Sequence, residues 1–599
     1  MNKRPSTAFA GLALAATLIF SGCSANATDD ASAVSTSSLT GAVSELNYAD
    51  LDIDQADLSF DTAEAVDLTL ADGASEGGNG VSVDGDTVTI NAAGTYRVSG
   101  TLTSGSLVVD APDAVVNLVL DGVDITAKDV AAINVIEADH VVVWLADGSE
   151  NVLADTAGSA VDESVEDVPN ATLFSSADLW IAGDGALSVT ASAADGITSK
   201  DTLVMAGGDV TVDAADDGVR GKDHLVITGG TLTTNVQGDA LRSDNESVTD
   251  EPDAAVGVIW IDGGALDLTA GSDAMDAARQ VTVLSGDLTI AAGDDGIHSD
   301  NVLRIAGGNV TITESVEGIE GAYMYLSGGD VSVVASDDGI NVSGGAEALA
   351  EETGEATDGA AAEPDAAAGG RPEGGRPEGG APAGGQAGDP AGEQAGGAIE
   401  PEGQASTTGA VDDLASLTVS AMEGSGFGGP AEGDNGNRFL EFSGGTYVVD
   451  TTSDGVDVNG SMAMTGGTLA VSGTENVRQG AIDVDDVFTI SGGTLAANGM
   501  ATMAVAPGED SSQATLALTF DGTMPAGTVI TIADGDGAQT ASFTTPKASN
   551  SYIYSSDVLE DGADYTISVG GEVTGTATGW LVLDGTAADG NAIGKVAAR

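Results

Sequence analysis

Carboxylates recur at one fixed point of a repeat, and they are the side chains of this chain best suited to chemistry. An Asp or Glu, usually followed by Gly or Ala and an aliphatic residue, occurs in each of nine successive units. Like charges in neighbouring units repel one another, and a hard divalent cation with oxygen ligands, such as Ca²⁺, would relieve that repulsion. The alternative, that Asp-Gly only forms a turn through an Asx hydrogen bond, stays open. This acidic column comprises Asp195, Asp217, Asp239, Asp273, Asp295, Glu317, Asp338, Asp454 and Glu475.

A second column follows three residues after each acid. It is polar in every unit, which predicts that it faces water. It concentrates Arg220, Arg242 and His298 in a chain with few cations, so we expect these three to attract an anionic ligand. A merely solvated face is the alternative. This polar column comprises Thr198, Arg220, Arg242, Asp276, His298, Glu320, Asn341, Asp457 and Arg478.

A third column is the outward residue of the strand that precedes each glycine pair. Exposed aromatic rings on a flat β-face suit stacking on sugar rings, with Arg304 as a fork for a carboxylate. Scattered surface aromatics are the alternative. Trp144 has a similar context, between Val143 and Leu145. This outward column comprises Trp180, Val204, Val226, Trp260, Thr282, Arg304, Tyr325, Glu441, Ala463 and Thr489, of which Trp260, Arg304 and Tyr325 are the candidate ligand contacts.

The repeat that positions these columns predicts an all-β fold. Most steps along a series of glycine pairs are 21 or 22 residues, and Ser285-Gly286 fills one gap in it. The pairs end at Gly208, Gly230, Gly264, Gly308, Gly329, Gly445, Gly467 and Gly493. Alternating apolar residues on both sides of each pair indicate strands with one inward face. Three short strands in each coil of about 22 residues are typical of a parallel β-helix, in which each coil pairs with the next.

The N-terminus has the features of a secretory signal. Lys3 and Arg4 precede an apolar run from Ala8 to Phe20, which is too short to span a bilayer. Cys23 follows Ser21-Gly22 in a pattern that resembles the bacterial lipobox, with Phe20 in place of the more usual Leu. We therefore expect lipidation at Cys23 and an extracytoplasmic protein anchored to the bacterial membrane by lipid alone.

Shifts in composition divide the chain into six parts. A run rich in Gly, Pro, Ala and Glu cannot bury a core, and only its end, around Ala415 to Met422, is a candidate for pairing. The predicted parts are 1–22 (lipoprotein signal peptide), 23–45 (flexible tether), 46–345 (first part of the β-helix), 346–436 (disordered insertion), 437–506 (last coils) and 507–599 (small C-terminal antiparallel β module).

Composition excludes several classes of function. The chain has 17 Lys and Arg against 95 Asp and Glu, a formal net charge of −78, so binding of nucleic acid through its phosphates is excluded. A disulfide framework is impossible with one cysteine. The apolar fraction of 42%, much of it in short Val, Leu and Ile runs, argues against wholesale disorder.

Several motifs in order resemble a known family. They include AGTYRVSGTL, VNLVLDGVDIT, AADDGVRGKDHLVITGGTLT, GDALRSDNESVTDEP and DGVDVNGSMAMTGGTL. Over about residues 80 to 570 the chain resembles the bacterial carbohydrate-binding parallel β-helix family of the clostridial polygalacturonate-binding type, which is similar to pectate lyases.

The resemblance implies a right-handed helix that binds Ca²⁺ and holds acidic plant polysaccharide without cleaving it. It supports the acidic column as the metal column. The chain departs from the family at Ala240 and Ala274, where Gly is usual, and at Asp276 and His298, where Lys is common. The candidate metal ligands are Asp217, Asp239, Asp273 and Asp295, with Glu317 and Asp338 extending the column.

Three functions remain open. The first is Ca²⁺-dependent binding of an acidic polysaccharide, because a strongly negative protein repels polyuronate unless cations intervene. The second is a polysaccharide lyase on the same fold, for which Lys200 and Lys222 could supply a base. The third is a structural or adhesive surface protein whose acidity serves solubility. We expect a binding protein and not an enzyme, and the sequence names no protein partner.

Overall fold

The computed structural model describes residues 45–53, 55–60, 65–128, 131–156, 168–245, 247, 255–344, 414, 416–422 and 438–599. The predicted signal peptide with Cys23, the tether up to residue 44 and most of the predicted insertion lie outside these ranges. Within the described ranges, no helix is both long and apolar enough to cross a membrane.

The regular secondary structure of the described chain is almost entirely β-strand, and most of it forms a parallel β-helix. The strands of the helix are β1 Val66–Leu70, β2 Val81–Asp84, β3 Thr87–Ile90, β4 Gly94–Leu102, β5 Ser106–Asp110, β6 Val115–Thr126, β7 Ile133–Glu137, β8 His140–Leu145, β9 Glu150–Ala154, β10 Ala171–Ser175, β11 Asp178–Gly183, β12 Ala186–Ala191, β13 Asp195–Ser199, β14 Thr202–Met205, β15 Asp209–Ala214, β16 Val219–Gly221, β17 His224–Ile227, β18 Thr231–Val236, β19 Leu241–Ser243, β20 Val258–Thr269, β21 Met275–Ala277, β22 Gln280–Ala291, β23 Ile297–Ile305, β24 Asn309–Glu314, β25 Ile319–Ala335 and β26 Ile340–Val342. Near the end of the predicted insertion lies β27 Val419–Ala421. After the insertion come the helix strands β28 Phe439–Thr451, β29 Val456–Val458, β30 Ser461–Ser472, β31 Ile482–Val484 and β32 Phe488–Gly499.

Each regular coil has three strands, which define three faces of the helix. The short-strand face contains β13, β16 and β19; the middle face contains β14 and β17; and the third face contains β15 and β18. Every one of these strands pairs in parallel with the equivalent strand of the next coil. Strands such as β20 run through the glycine turn and belong to both the middle and the third face. The prediction of an all-β parallel helix is confirmed.

Aliphatic side chains stack inside the helix from coil to coil. On the middle face Leu203 pairs with Leu225, which pairs with Ile259, which pairs with Val281, and none of the four is accessible to solvent. Burial of such a side chain stabilises the fold by about 1.5–3 kcal/mol. The alternation of buried and exposed positions along each strand therefore supplies one continuous core.

Residues 45–53 and 55–60 form an N-terminal strap that lies across the middle face. The predicted first part of the β-helix, 46–345, includes most of this segment, but the coil stack begins at Val66. The strap contains a 3-10 turn, Tyr48–Asp50, and no strand. Its backbone at Leu46 exchanges two hydrogen bonds with the Gln280 side chain, which donates through Nε2 at 2.9 Å and accepts through Oε1 at 2.8 Å. The strap alternates apolar and polar residues from Leu51 to Phe60, but its apolar side chains pack against the outside of the helix instead of entering the core of a coil.

Antiparallel strands close the far end of the helix. The last coil strand, β32, pairs with β36 Ser549–Ser555 in the antiparallel sense, which satisfies an edge that would otherwise be open. Val419–Ala421, near the end of the predicted insertion, pairs in the antiparallel sense with the first strand of the C-terminal module, Thr515–Met524. The remaining strands of the C-terminal module are β33 Thr515–Met524, β34 Val529–Ala533, β35 Gln539–Thr544, β37 Asp564–Val569, β38 Glu572–Thr574, β39 Ala577–Thr578, β40 Leu581–Val582, β41 Thr586–Ala588 and β42 Asn591–Ala597.

Gly445, the second glycine of its pair, is required by both backbone and packing. Gly445 has φ +82°, and a Cβ added there would lie 2.5 Å from the carbonyl oxygen of Gly328 in the preceding coil. Gly122 has the same φ, +82°, but nothing lies within 4 Å of its added Cβ. A comparison of substitutions at the two positions therefore distinguishes the cost of backbone strain from the cost of a steric clash between coils.

We expect Gly445→Ala to destabilise the protein more than Gly122→Ala. Both substitutions incur the left-handed backbone penalty of about 1–2 kcal/mol, and only Gly445→Ala adds an overpacking cost of about 1–3 kcal/mol. Urea unfolding followed by circular dichroism measures the difference. Equal losses for the two variants would show that the glycine turns are not packed against the preceding coil.

Candidate functional site

The acidic and polar columns lie side by side along the short-strand face. Asp195 opens β13, and Thr198 lies three residues further along that strand, opposite Arg220 of the next coil. Arg220 pairs in turn with Arg242. The polar column continues in register through Asp276, His298, Glu320, Asn341 and Asp457, as the sequence predicts.

The last member of each predicted column is wrong. Asp457 pairs with Asp483 and not with Arg478. The Asp454 carboxylate accepts a hydrogen bond from the backbone of Gly480, which thereby takes the place predicted for Glu475. This step spans 26 residues, whereas that from Asp217 to Asp239 spans 22, so extra residues shift the register.

Three consecutive acids of the column each hold the next coil in place. The Asp217 Oδ1 accepts a hydrogen bond from the backbone N–H of Asp239 at 2.9 Å, the Asp239 Oδ1 from Asp273 at 3.0 Å, and the Asp273 Oδ1 from Asp295 at 2.8 Å. The bond joins two coils and is therefore not the local Asx bond of the turn alternative. One carboxylate oxygen of each residue has this structural role, and the second oxygen is left for other partners.

Burial raises the pKa of the column. Asp217 is 3% and Asp295 8% exposed. Burial is the main cause that raises the pKa of Asp217 and Asp239, and it raises that of Asp273 to about 6 and that of Asp295 to about 8, where neighbouring carboxyl groups add to it. Without a bound cation, part of the column is therefore protonated near neutral pH.

The same effect continues at the next two coils, where Glu320 lies between two acids. Burial raises the pKa of Glu317 to about 8 and raises that of Asp338. Burial also acts to raise the pKa of Glu320, but hydrogen bonds from the Ser343 hydroxyl and from the protonated forms of Glu317 and Asp295 lower it overall. Glu320 is thus the carboxyl group of this cluster that stays ionised.

The two arginines of the polar column are counter-ions of the protein's own acids. Arg220 donates two hydrogen bonds to the Asp244 carboxylate, at 2.9 and 2.6 Å, and its side chain is only 14% exposed. The Arg242 guanidinium lies 3.1 Å from Asp217 and 3.3 Å from Asp239. The prediction that this column faces water is wrong at Thr198 and Asn341, which are buried. Binding of an external anion by Arg220 and Arg242 stays a prediction, and such an anion would compete with the internal carboxylates that already pair with them.

His298 is also held by an acid. Its Nδ1 lies 3.0 Å from Asp276 Oδ1. Burial acts to lower the pKa of His298, but the hydrogen bond and the charge of Asp276 outweigh it and raise the pKa to about 10. In the metal-free protein His298 is therefore an imidazolium at neutral pH.

The outward column has the predicted register but not the predicted exposure. Trp260 is 4% exposed because the N-terminal strap covers it, with the Tyr48 ring centroid 5.6 Å from that of Trp260. Arg304 forms an ion pair with Glu45 of the strap. Tyr325 is half-buried, with its ring edge-on to Phe439 at 5.1 Å. The expected open aromatic face is therefore wrong at Trp260, and a ligand would meet the strap first.

Two groups of side chains bring ligand atoms within 4.8 Å of one another. One is Asp273, Asp276 and His298; the other is Asp295, His298 and Glu320. Carboxylate oxygens in a flexible set fit Ca²⁺, whereas a histidine nitrogen is more typical of transition metals. Asp276 and Glu320 are absent from the predicted ligand set. Their signal was present in the sequence as acids within the polar column, directly beside the acidic column.

Known proteins match the coil region. Residues 84–347 match the family described as carbohydrate-binding domain-containing protein. A carbohydrate-binding domain-containing protein of Acetivibrio thermocellus is 44% identical over 206 residues, which are 34% of this chain and 70% of that protein. The solved structure of the polysaccharide lyase-like protein from C. thermocellum, a gadolinium derivative, is 31% identical with a TM-score of 0.38, covering 40% of this chain and 97% of that one.

In the presence of chelator, we expect the stability of the protein to fall as the pH rises from about 4 to about 8. The folded-state pKa values of Asp273, Asp295 and Glu317, about 6, 8 and 8, lie above the ordinary values of 3.8 for Asp and 4.5 for Glu. The folded state therefore binds more protons than the unfolded state in this window, and deprotonation costs folding free energy. Urea midpoints measured across the window test this.

The variant Asp295→Asn is expected to flatten that pH dependence and to stabilise the metal-free protein near pH 8 by about 1–3 kcal/mol, because it removes one buried like charge. Asp267→Asn, at an exposed strand position, is the matched control for loss of one negative charge. A urea midpoint that rises with pH, or equal effects of the two variants, would contradict the raised pKa values of Asp295 and its neighbours.

Proposed function

This chain belongs to the family of carbohydrate-binding domain-containing proteins, and we propose that it binds an acidic polysaccharide at the cell surface through Ca²⁺, without cleaving it. The observation that carries the proposal is the set of stacked carboxyl groups from Asp273 to Glu320. The neighbours that raise the pKa of Asp295 are other carboxyl groups, and a divalent cation would replace their protons.

Electrostatics favour a cation bridge over direct contact with arginine. Arg220 and Arg242 are engaged by Asp244, Asp217 and Asp239, and the whole chain carries −78. A uronate carboxylate approaching this face is repelled unless a metal ion supplies positive charge. The role of the arginines is then to neutralise acids that the metal does not reach.

The repeat suits a polymeric ligand. Parallel coils lie about 4.8 Å apart, so equivalent carboxylates follow one another at short, regular intervals along the helix. A polyuronate also presents carboxylates at regular intervals, and several weak contacts along one chain add through effective concentration. Together with lipidation at Cys23, this arrangement would hold the polysaccharide at the outer face of the membrane.

A lyase is the second candidate, favoured by one observation at Lys200. Burial lowers the pKa of Lys200, and the nearby charge of Arg220 lowers it further. A lysine that loses its proton more readily is suited to abstract a proton beside a metal-bound carboxylate. The Lys200 Nζ lies 6.0 Å from the Phe174 ring centroid, which is also consistent with a purely structural cation–π contact.

The proposal predicts calcium-dependent capture of polygalacturonate by residues 24–599. Asp295→Asn is expected to weaken binding about tenfold or more, which is 1.4 kcal/mol or more, whereas Asp267→Asn leaves it unchanged. A glycan array with Ca²⁺, repeated with excess chelator, gives the selectivity, and calorimetry gives the affinities.

Affinity that is unchanged in chelator would exclude the calcium bridge. Uniformly blank arrays would favour the structural or adhesive alternative. Ultraviolet absorbance of an unsaturated product, lost in Lys200→Met, would show that the protein is a lyase.

A further inference from the structure

A groove of about 500 Å³ lies at the corner between the middle and the third face, far from the acidic column. Asp209, at the edge of the groove, is the first residue of β15, and Asp217 of the acidic column follows the end of that strand. The strand spans roughly 20 Å of extended chain. The groove is lined by Leu58, Trp144, Ala182, Gly183, Asp184, Ala206, Gly207, Gly208, Asp209 and Gly230.

The groove exists because a large side chain is followed by small ones along the coil stack. Trp144 pairs with Ala182 of the next coil, and the coil after that presents Ala206 and a glycine pair. A Cβ at Gly208 would lie 2.6 Å from the Leu145 side chain, at a backbone φ of +94°. A side chain cannot fill this floor without strain, so the space beside the indole stays open.

The N-terminal strap contacts Trp144 and leaves its side chain half-buried. Phe60 lies edge-on to Trp144, with ring centroids 5.5 Å apart and planes at 80°, and Leu58 forms part of the groove wall. Trp180 and Trp260 are buried by the same strap, whereas Trp144 remains half-buried. The strap therefore restrains the Trp144 side chain, and this reduces the conformational entropy that would be lost when a ligand binds.

Two carboxylates complete the groove. Asp184 and Asp209 are exposed, and among the contacts between described residues neither side chain has a hydrogen-bond or ion-pair partner. Ionised carboxylates only accept hydrogen bonds, so they favour a ligand rich in hydroxyl donors. Their charge, on a protein of −78, repels anions.

We propose that this groove is a second saccharide subsite, which takes a neutral pyranose stacked on Trp144 with its hydroxyls donating to Asp184 and Asp209. An indole face matches the apolar face of a sugar ring, and a few placed polar groups fix its orientation. Neutral glycan would be bound without metal. The subsite goes beyond the proposed calcium-dependent binding of acidic polysaccharide and does not depend on it.

The test uses residues 24–599 with neutral gluco-, manno- and xylo-hexaoses in the presence of chelator. We expect at least one of the three to bind and to change the intrinsic tryptophan fluorescence. Trp144→Ala is expected to weaken that binding about tenfold or more, and Trp144→Phe to restore part of it while removing the fluorescence change. Trp580→Ala, at the half-buried tryptophan of the C-terminal module, is the matched control.

The double variant Asp184→Ala/Asp209→Ala changes exposed residues only, so it tests the subsite even if Trp144→Ala loosens the strap. We expect it to weaken hexaose binding without changing the urea midpoint. Hexaose binding that survives both this variant and Trp144→Ala, or no binding of any of the three hexaoses, would overturn the subsite. Because polygalacturonate capture is measured separately and responds to Asp295→Asn, failure of one proposal is distinguishable from failure of the other.

Discussion

Parallel pairing between successive coils is the constraint on which the rest of the structure depends. It places each residue directly beside its counterpart one coil away, about 4.8 Å distant, so any residue type favoured at one position accumulates into a column. For aliphatic residues, as in the stack from Leu203 to Val281, this accumulation is favourable throughout. For acids it concentrates charge that the fold must then neutralise.

The acids are neutralised in three different ways along one column. Near Asp217 and Asp239, Arg242 supplies positive charge. Around Asp295 and Glu317, raised pKa values show that protons supply it when no metal is bound. The backbone N–H of the next coil takes one oxygen of most members, so the same carboxylates hold the coils together and remain available on their second oxygen. A carboxylate in such a column can thus hold two coils together and still offer an oxygen to a ligand.

Regular features of this protein could be predicted from the sequence, and irregular ones could not. The 22-residue period is enough to predict the fold and the register of the polar column from Thr198 to Asp457, because a period maps directly onto coil stacking. The exposure of Trp260 was wrong because its cover, the strap, has no period that links it to a coil. Arg478 and Glu475 were wrong because one coil is longer. The pairing of Arg220 with Asp244 was missed because it joins different coils.

The strap also has a mechanical consequence. Leu46 and Glu45 contact Gln280 and Arg304, which lie on coils that are paired on both sides, within the length of the helix and not at its end. A tensile load applied at Glu45 therefore acts sideways on the flank. The load would break the ion pair and the two Gln280 hydrogen bonds one after another. The hydrogen bonds between neighbouring coils, in contrast, would bear the load together. The strap would yield at low force while the coils stay intact.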